Sequence, residues 1–187
     1  MTQDSMNTTF RNMIEKDGKS KLKELLKKKN VHELPRLKKI AINMGIGRYY
    51  SLNKDYTDVL EYLTRITGQK PVVRLSRMAI SNFKLRENMP VGLSVTIRGD
   101  RMYDFIYRLI HVVLPRVRDF RGLSRNGFDS QGNFSLGVTE CSVFPEINPE
   151  DITKVHGLQI NFHIESGGKE ESMALLDFIG LPFKKEA

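Results

Sequence analysis

Three observations predict an α+β fold, an antiparallel sheet with helices packed on its apolar face and an open polar face on the other side. Four stretches, residues 37–44, 91–98, 134–138 and 158–165, alternate apolar and polar residues with the period of a half-buried strand. Stretches between them repeat apolar residues every three or four positions, as helices do. The two kinds follow one another in mixed order, without the regular strand–helix alternation of a parallel sheet.

The clearest element covers residues 89–122. Val91, Leu93, Val95 and Ile97 take one face of a strand, and Gly92, Ser94, Thr96 and Arg98 the other. Gly99 ends the strand, and Asp100 is placed to cap a helix with Met102, Phe105, Ile106, Leu109 and Val113 as its apolar stripe. Pro115 is expected to stop that helix. The loop beyond it delivers Arg116, Arg118 and Arg121 with one acid, Asp119.

The remaining elements follow in chain order. Residues 8–29 suggest two helical patches separated by Gly18, and the first seven or so residues are expected to be unordered. Lys27, Lys28 and Lys29 read most simply as a solvated helix end, where cations suit the dipole. Ile40, Ile42 and Met44 point to the core while Ala41 and Asn43 point away, and Gly45 and Gly47 permit a tight turn. A dinucleotide fingerprint fails because Tyr50 stands where its third glycine belongs. Asn53 then caps a helix with Tyr56, Val59, Leu60, Leu63 and Ile66, ended by Gly68. A short strand at Val72 and Val73 leads into a long segment in which Met78, Ile80, Phe83 and Leu85 are interleaved with Arg74, Arg77, Lys84 and Arg86. That segment is either a loop anchored to the core by its apolar residues or an arm whose bases track a phosphate backbone. Residues 122–132 read as loop, 134–138 as strand and 144–151 as irregular. A long strand with Leu158, Ile160, Phe162 and Ile164 inward precedes a last helix with Met173, Leu176 and Ile179, ended by Gly180 and Pro182.

The 187 residues suit one well-buried domain. Residues 1–34 are expected to form a helical extension, and residues 35–187 a single α+β domain with a basic arm at about 74–90. The net charge of +8 points to an anionic partner. Its distribution is uneven: residues 1–68 net +6, residues 69–128 net +8 and residues 129–187 net −6. Ten of the twelve bases in the middle span are Arg, whose planar fork suits phosphates and base edges. The single cysteine, Cys141, excludes an internal disulfide and fits a reducing compartment. No apolar run is long enough to span a bilayer, and Asp4, Glu15 and Asp17 argue against a leader peptide, so a cytoplasmic protein without a membrane is expected.

The open face of the predicted sheet would carry Asn43, Ser94, Thr96, Arg98, Ser135, Gln159, Asn161 and His163. Every half-buried sheet has a solvated face, but such faces usually carry many Lys and Glu. Short hydroxyls and amides lose little entropy and hydrogen-bond well to a closely apposed polar surface, which favours a docking face. Catalysis finds no home. His32, His111, His156 and His163 lack metal-ligand spacing, Cys141 has no sequence-adjacent base, and no nucleophile, phosphate-loop or paired-carboxylate motif is present. No cofactor, metal or catalytic residue is expected.

Taken together, PRLKKIAINMGIG from Pro35, TGQKPVV from Thr67, VTIRGDRMYDF from Val95, LPRVRDFRGLS from Leu114 and FPEI from Phe144 resemble the fifth protein of the large ribosomal subunit, bacterial type, a 5S rRNA-binding family. The signatures stand in the family's order and cover residues 34–183. The resemblance implies a structural protein of the cytoplasmic ribosome, translation as its context, and an α+β domain whose sheet faces 5S rRNA. It implies 5S rRNA contacts at Asn43, Gln69, Thr96 and Arg98, to which the docking face adds Ser94. It further implies an arm, carrying Arg74, Arg77, Lys84 and Arg86, that reaches the P-site tRNA. Other implied partners are large-subunit rRNA, neighbouring ribosomal proteins and a small-subunit head protein across a subunit bridge. Arg116, Arg118 and Arg121 are further candidate RNA contacts.

The chain departs from the family pattern at Ser81 and Asn82, where members usually read AG, and at Gln131, where they usually carry arginine. The lysine-bearing stretch before Leu34 has no role assigned by the resemblance. Two other functional classes share these features: a small phosphate-handling enzyme using Arg98 and Asn43 to hold an anion, and an RNA-binding regulator acting off the ribosome.

Overall fold

Five strands form one antiparallel sheet in the order β2-β3-β1-β5-β4 in a computed structural model that describes residues 10–14, 18–47, 55–148 and 156–184. The α+β class read from the sequence is therefore the observed one. The strands are β1 (Arg36–Gly45), β2 (Val72–Leu75), β3 (Pro90–Ile97), β4 (Phe134–Val138) and β5 (Leu158–Glu165). The chain divides into two compact units, residues 41–97 with 137–160, and residues 1–40 with 98–136 and 161–187.

In the first unit, alternation along the strands sends Ile42, Met44, Leu93, Val95 and Ile97 into the core, each at most 2% exposed. Helix α2 (Thr57–Thr67) lays Val59, Leu63 and Ile66 against them, all at 0% exposure. The expected cap Asn53 lies outside the described residues. Tyr56 holds the cap position of α2, and Asp55 before it accepts through Oδ1 from the Tyr56 and Thr57 amides at 2.7 and 3.0 Å and from the Thr57 hydroxyl at 2.7 Å. These bonds hold the Asp55 carboxyl below the usual carboxylate range, the Thr57 hydroxyl being the largest cause. Gly68 ends the helix at φ 65°, a left-handed cap that a side chain would strain. Gly45 and Gly47 do not take a positive φ, and the residues that would complete their turn lie outside the described ones.

The second unit is built on helix α3 (Asp100–Arg108), which continues through a π turn (Leu109–Val113) and a last turn (Leu114–Arg116). Two sequence expectations fail here for identifiable reasons. Pro115 does not stop the helix, because the π turn just before it changes the hydrogen-bonding pattern where the missing N–H falls, and the helix ends two residues later at extended Val117. Asp100 is the first helical residue rather than the cap. Gly99 holds the cap position at φ 62°, and the Asp100 carboxylate bonds Arg11 from the N-terminal stretch. Arg11 also lies 5.9 Å over the Tyr103 ring, and Phe10 packs edge-on to Tyr107 at 5.4 Å.

An aromatic cluster closes this unit. Phe134 lies 4.8 Å from Phe128, 5.4 Å from Phe183 and 6.0 Å from Phe162, ring centre to ring centre. Helix α4 (Lys169–Ile179) buries Leu175, Leu176 and Ile179 and ends at Gly180, φ 97°. Helix α1 (Gly18–Leu25) packs on α4 so tightly that a β-carbon on Gly18 would stand 2.8 Å from the Phe178 ring.

Candidate nucleic-acid interface

Apart from Arg98, the polar residues read from the strand alternation stand where that alternation puts them. In the first unit Asn43, Ser94 and Thr96 are half-buried between the fully buried residues of β1 and β3, and Gln159 is exposed on β5. Gly92 shares the parity of Ser94 and Thr96 and brings β3 close to β1. A β-carbon there would lie 3.3 Å from the Met44 carbonyl oxygen. The result is a polar patch of low relief, without long side chains to be ordered before a partner approaches. Gln69 follows the left-handed Gly68 and is half-buried. Its amide donates to the Thr67 hydroxyl oxygen at 3.3 Å, and that hydroxyl donates to the Leu63 carbonyl at 2.7 Å. The α2 C-terminus thus fixes the backbone from which Gln69 extends.

In the second unit the open parity of β5 carries Asn161 and His163, that of β1 carries Lys39, and Ser135 is exposed on β4. Burial pushes the His163 imidazole below its ordinary range, with Lys39 nearby adding to the shift and Asp129 opposing it. The shift favours the neutral ring over the imidazolium. Asp129 is committed to its own loop, accepting from the Asn133 amide at 2.7 Å, the Asn133 side chain at 2.9 Å and the Gln131 amide at 2.9 Å. Lys39 escaped the sequence reading although the parity Lys39–Ala41–Asn43 was there to be extended by one step. Arg98 is exposed just beyond the end of β3, not on the strand, since β3 stops at Ile97. Arg116, Arg118 and Arg121 are all exposed around the end of the α3 helix. Their loop is turned by Asp119 at φ 53° and by Gly122 at φ 95°.

Residues 76–89 form a self-closed loop between β2 and β3. The register runs from Val72 opposite Ser94 to Leu75 opposite Pro90, with an irregularity after Arg74. Beyond it the Ser76 amide donates to the Met89 carbonyl at 2.8 Å, and the Ile80 and Leu85 amides exchange bonds with each other's carbonyls at 3.0 and 3.1 Å. The tip is a 3₁₀ turn, Ser81–Phe83, closed by Lys84 at φ 53°. Arg74, Arg77, Lys84 and Arg86 are exposed. So are Met78 at 71% and Phe83 at 73%, so the apolar residues do not anchor this loop to the core. Ser81 and Asn82, two positions that depart from the resembled pattern, form the tip itself.

Among the described residues no group of three His, Cys, Asp or Glu side chains is arranged to hold a metal. Cys141 is fully buried, and burial raises its thiol pKa, which leaves it an unreactive packing residue. No described helix is long and apolar enough to cross a membrane.

Comparison with known proteins decides among the functional classes. A family profile described as ribosomal protein L5 matches residues 30–86, and a second profile, for the C-terminus of the same ribosomal family, matches residues 90–183. The chain belongs to this ribosomal protein family. It is 54% identical over 159 residues to the large ribosomal subunit protein uL5 of Thermosipho melanesiensis, covering 84% of this chain and 87% of that one. It is 49% identical over 160 residues to uL5 of Thermotoga maritima, covering 84% and 85%, and 47% identical over 157 residues to uL5 of Rhodopirellula baltica, covering 84% and 80%. Family membership makes the chain an RNA-associated, structural constituent of the large ribosomal subunit in the cytoplasm, working in translation and not as an enzyme. Its partners accordingly include ribosomal RNA and other ribosomal proteins.

Proposed function

We propose that the chain anchors 5S rRNA in the large subunit's central protuberance through its open strand residues Asn43, Ser94 and Thr96 together with Gln69, and that Arg98, beyond the end of β3, makes a further contact to it. The observation that carries this reading is the half-buried polar patch in which Asn43, Ser94 and Thr96 lie beside side-chain-free Gly92. A hydroxyl or amide at that depth pairs directly with a base edge or a ribose 2′-OH, whereas long solvated lysines would have to be ordered first. Arg116, Arg118 and Arg121 supply phosphate contacts. Arg74 at the end of β2 and the loop beyond it, bearing Arg77, Lys84 and Arg86, reach the P-site tRNA, with Phe83 and Met78 offering apolar surface to its bases or riboses. The protein also bridges to a protein of the small-subunit head.

The deciding experiment is a filter-binding titration of the full chain with 5S rRNA against an unrelated structured RNA of equal length. The expected result is preferential binding of 5S rRNA that weakens steeply with salt, log K against log salt falling by roughly 0.7–0.9 per phosphate contact. Equal binding of both RNAs, or an affinity indifferent to salt, overturns the assignment.

A further inference from the structure

Residues 19–29 hold six lysines and a single acid, Glu24. Lys19, Lys21 and Lys23 lie on α1 and the other three follow its end, and the helix is fixed in place. Leu22 is buried at 3% exposure, Gly18 abuts Phe178, and two of the six lysines serve that packing. Lys28 Nζ lies 2.7 Å from Glu171 Oε1, and Lys21 Nζ lies 5.8 Å over the Phe178 ring. The other four, Lys19, Lys23, Lys27 and Lys29, are exposed, and none of them is in an ion pair among the described residues.

A solvated helix end accounts for Lys23 and for part of the terminal run, because cations there offset the helix dipole. It does not account for Lys19, which stands in the first turn of α1, at the positive end of the dipole, where none of the described first-turn residues is acidic. Nor does it account for Lys27. The helix closes with the Lys28 amide on the Lys23 carbonyl and the Lys27 amide on the Glu24 carbonyl, both at 3.3 Å, a Schellman closure that puts Lys27 at φ 51°. Glycine is favoured at that position, yet a lysine takes the left-handed backbone and carries its charge into solvent. Lys19 and Lys23 are one turn apart on one side of the helix, and Lys27 and Lys29 follow its end. The helix dipole disfavours Lys19 and backbone preference disfavours Lys27, and a polyanion offsets both.

We infer that Lys19, Lys23, Lys27 and Lys29 form a contact to the phosphate backbone of ribosomal RNA, made by a helix end with point charges and without reading sequence. It gives the lysine-bearing stretch before Leu34 a role of its own. The inference rests on membership in the ribosomal family and not on the 5S rRNA assignment.

The test uses assembled large subunits. An iron chelate tethered to Lys27→Cys or Lys29→Cys, each in a Cys141→Ser chain, is expected to cut ribosomal RNA locally when hydroxyl radicals are generated. Replacing the four lysines together by Gln should release the protein from subunits at lower salt and flatten the salt dependence of release by a slope of roughly 3. The corresponding four Arg replacements should restore it. Absence of RNA cleavage from both positions, or cleavage confined to a neighbouring protein, overturns the inference. So does a quadruple Gln variant that folds normally and is retained like the parent. Filter binding of 5S rRNA by the parent chain, measured separately, tells whether that assignment has failed on its own.

Discussion

Gly92 and Met44 face each other on neighbouring strands so closely that a β-carbon on Gly92 would stand 3.3 Å from the Met44 carbonyl oxygen. The contact is tight but tolerable, and Gly92 lies on the open side beside Ser94 and Thr96. Its first effect is on relief, because any larger side chain there would rise out of a flat polar patch. Gly92→Ala should fold, with a thermal midpoint lower by no more than a few degrees, whereas Gly92→Leu should weaken 5S rRNA binding at least about ten-fold in a folded protein, a loss of about 1.4 kcal/mol. A Gly92→Leu chain that folds and binds like the parent would place the RNA elsewhere.

Thr96→Val and Asn43→Ala probe the same patch by chemistry instead of shape. Each leaves an RNA polar group desolvated without a partner, at a cost of roughly 1–3 kcal/mol of binding. Circular dichroism should be unchanged in both. If both folded variants retain parental affinity, direct polar docking on these strands is excluded.

The loop between β2 and β3 should separate from 5S rRNA binding. Its bases are exposed and it closes on itself through Ser76, Ile80, Leu85 and Met89. Replacing Arg77, Lys84 and Arg86 together by Ala should leave 5S rRNA affinity within a few-fold, because a self-closed loop can change its surface without disturbing the strands. Ribosomes carrying the variant should release P-site tRNA faster. Loss of 5S rRNA binding as severe as in the strand variants would merge the two surfaces into one.

Stability in the second unit should depend on the aromatic cluster around Phe134, which is 1% exposed and ringed by Phe128, Phe162 and Phe183. Phe134→Ala removes a buried ring and leaves a cavity, so chemical denaturation should show a loss of about 3–5 kcal/mol. Phe134→Leu should recover part of that. An alanine variant within about 1 kcal/mol of the parent would mean that the cluster collapses to fill the gap.

The Lys28–Glu171 pair predicts a pH window. Hydrogen bonding to Lys28 is the largest cause holding Glu171 below its ordinary range, and the same bond raises Lys28. The depressed carboxyl stabilises the fold above its unfolded pKa and loses that contribution as pH falls through the folded value. The raised amine stabilises below its unfolded pKa and loses that as pH rises through the folded value. The thermal midpoint of the parent should therefore exceed that of Glu171→Gln by a constant margin between about pH 5 and pH 9, and the margin should close on either side. A margin that persists at about pH 3 would mean that Glu171 acts through packing and not through charge.

The period of the sequence by itself determined the strand faces. The alternation that sends Ile42, Met44, Leu93 and Val95 inward also sends Asn43, Ser94 and Thr96 outward, because a strand offers two faces and burial selects one. The helix stripes and the glycine ends at Gly68 and Gly180 were legible for the same reason, being set by residues a turn apart. The departures came where the deciding partner lies far along the chain or where the backbone chose an uncommon geometry. Asp100 looks like a cap until Arg11, 89 residues away, bonds its carboxylate. Pro115 looks like a stop until a π turn from Leu109 to Val113 carries the helix past it. For Met78 and Phe83 the sequence left open a core anchor or an exposed arm, and the loop closes on its own backbone and leaves them in solvent. Local periodicity reports which side of an element is apolar, and only the tertiary structure decides what each side meets, since contacts between distant residues leave no period in the sequence.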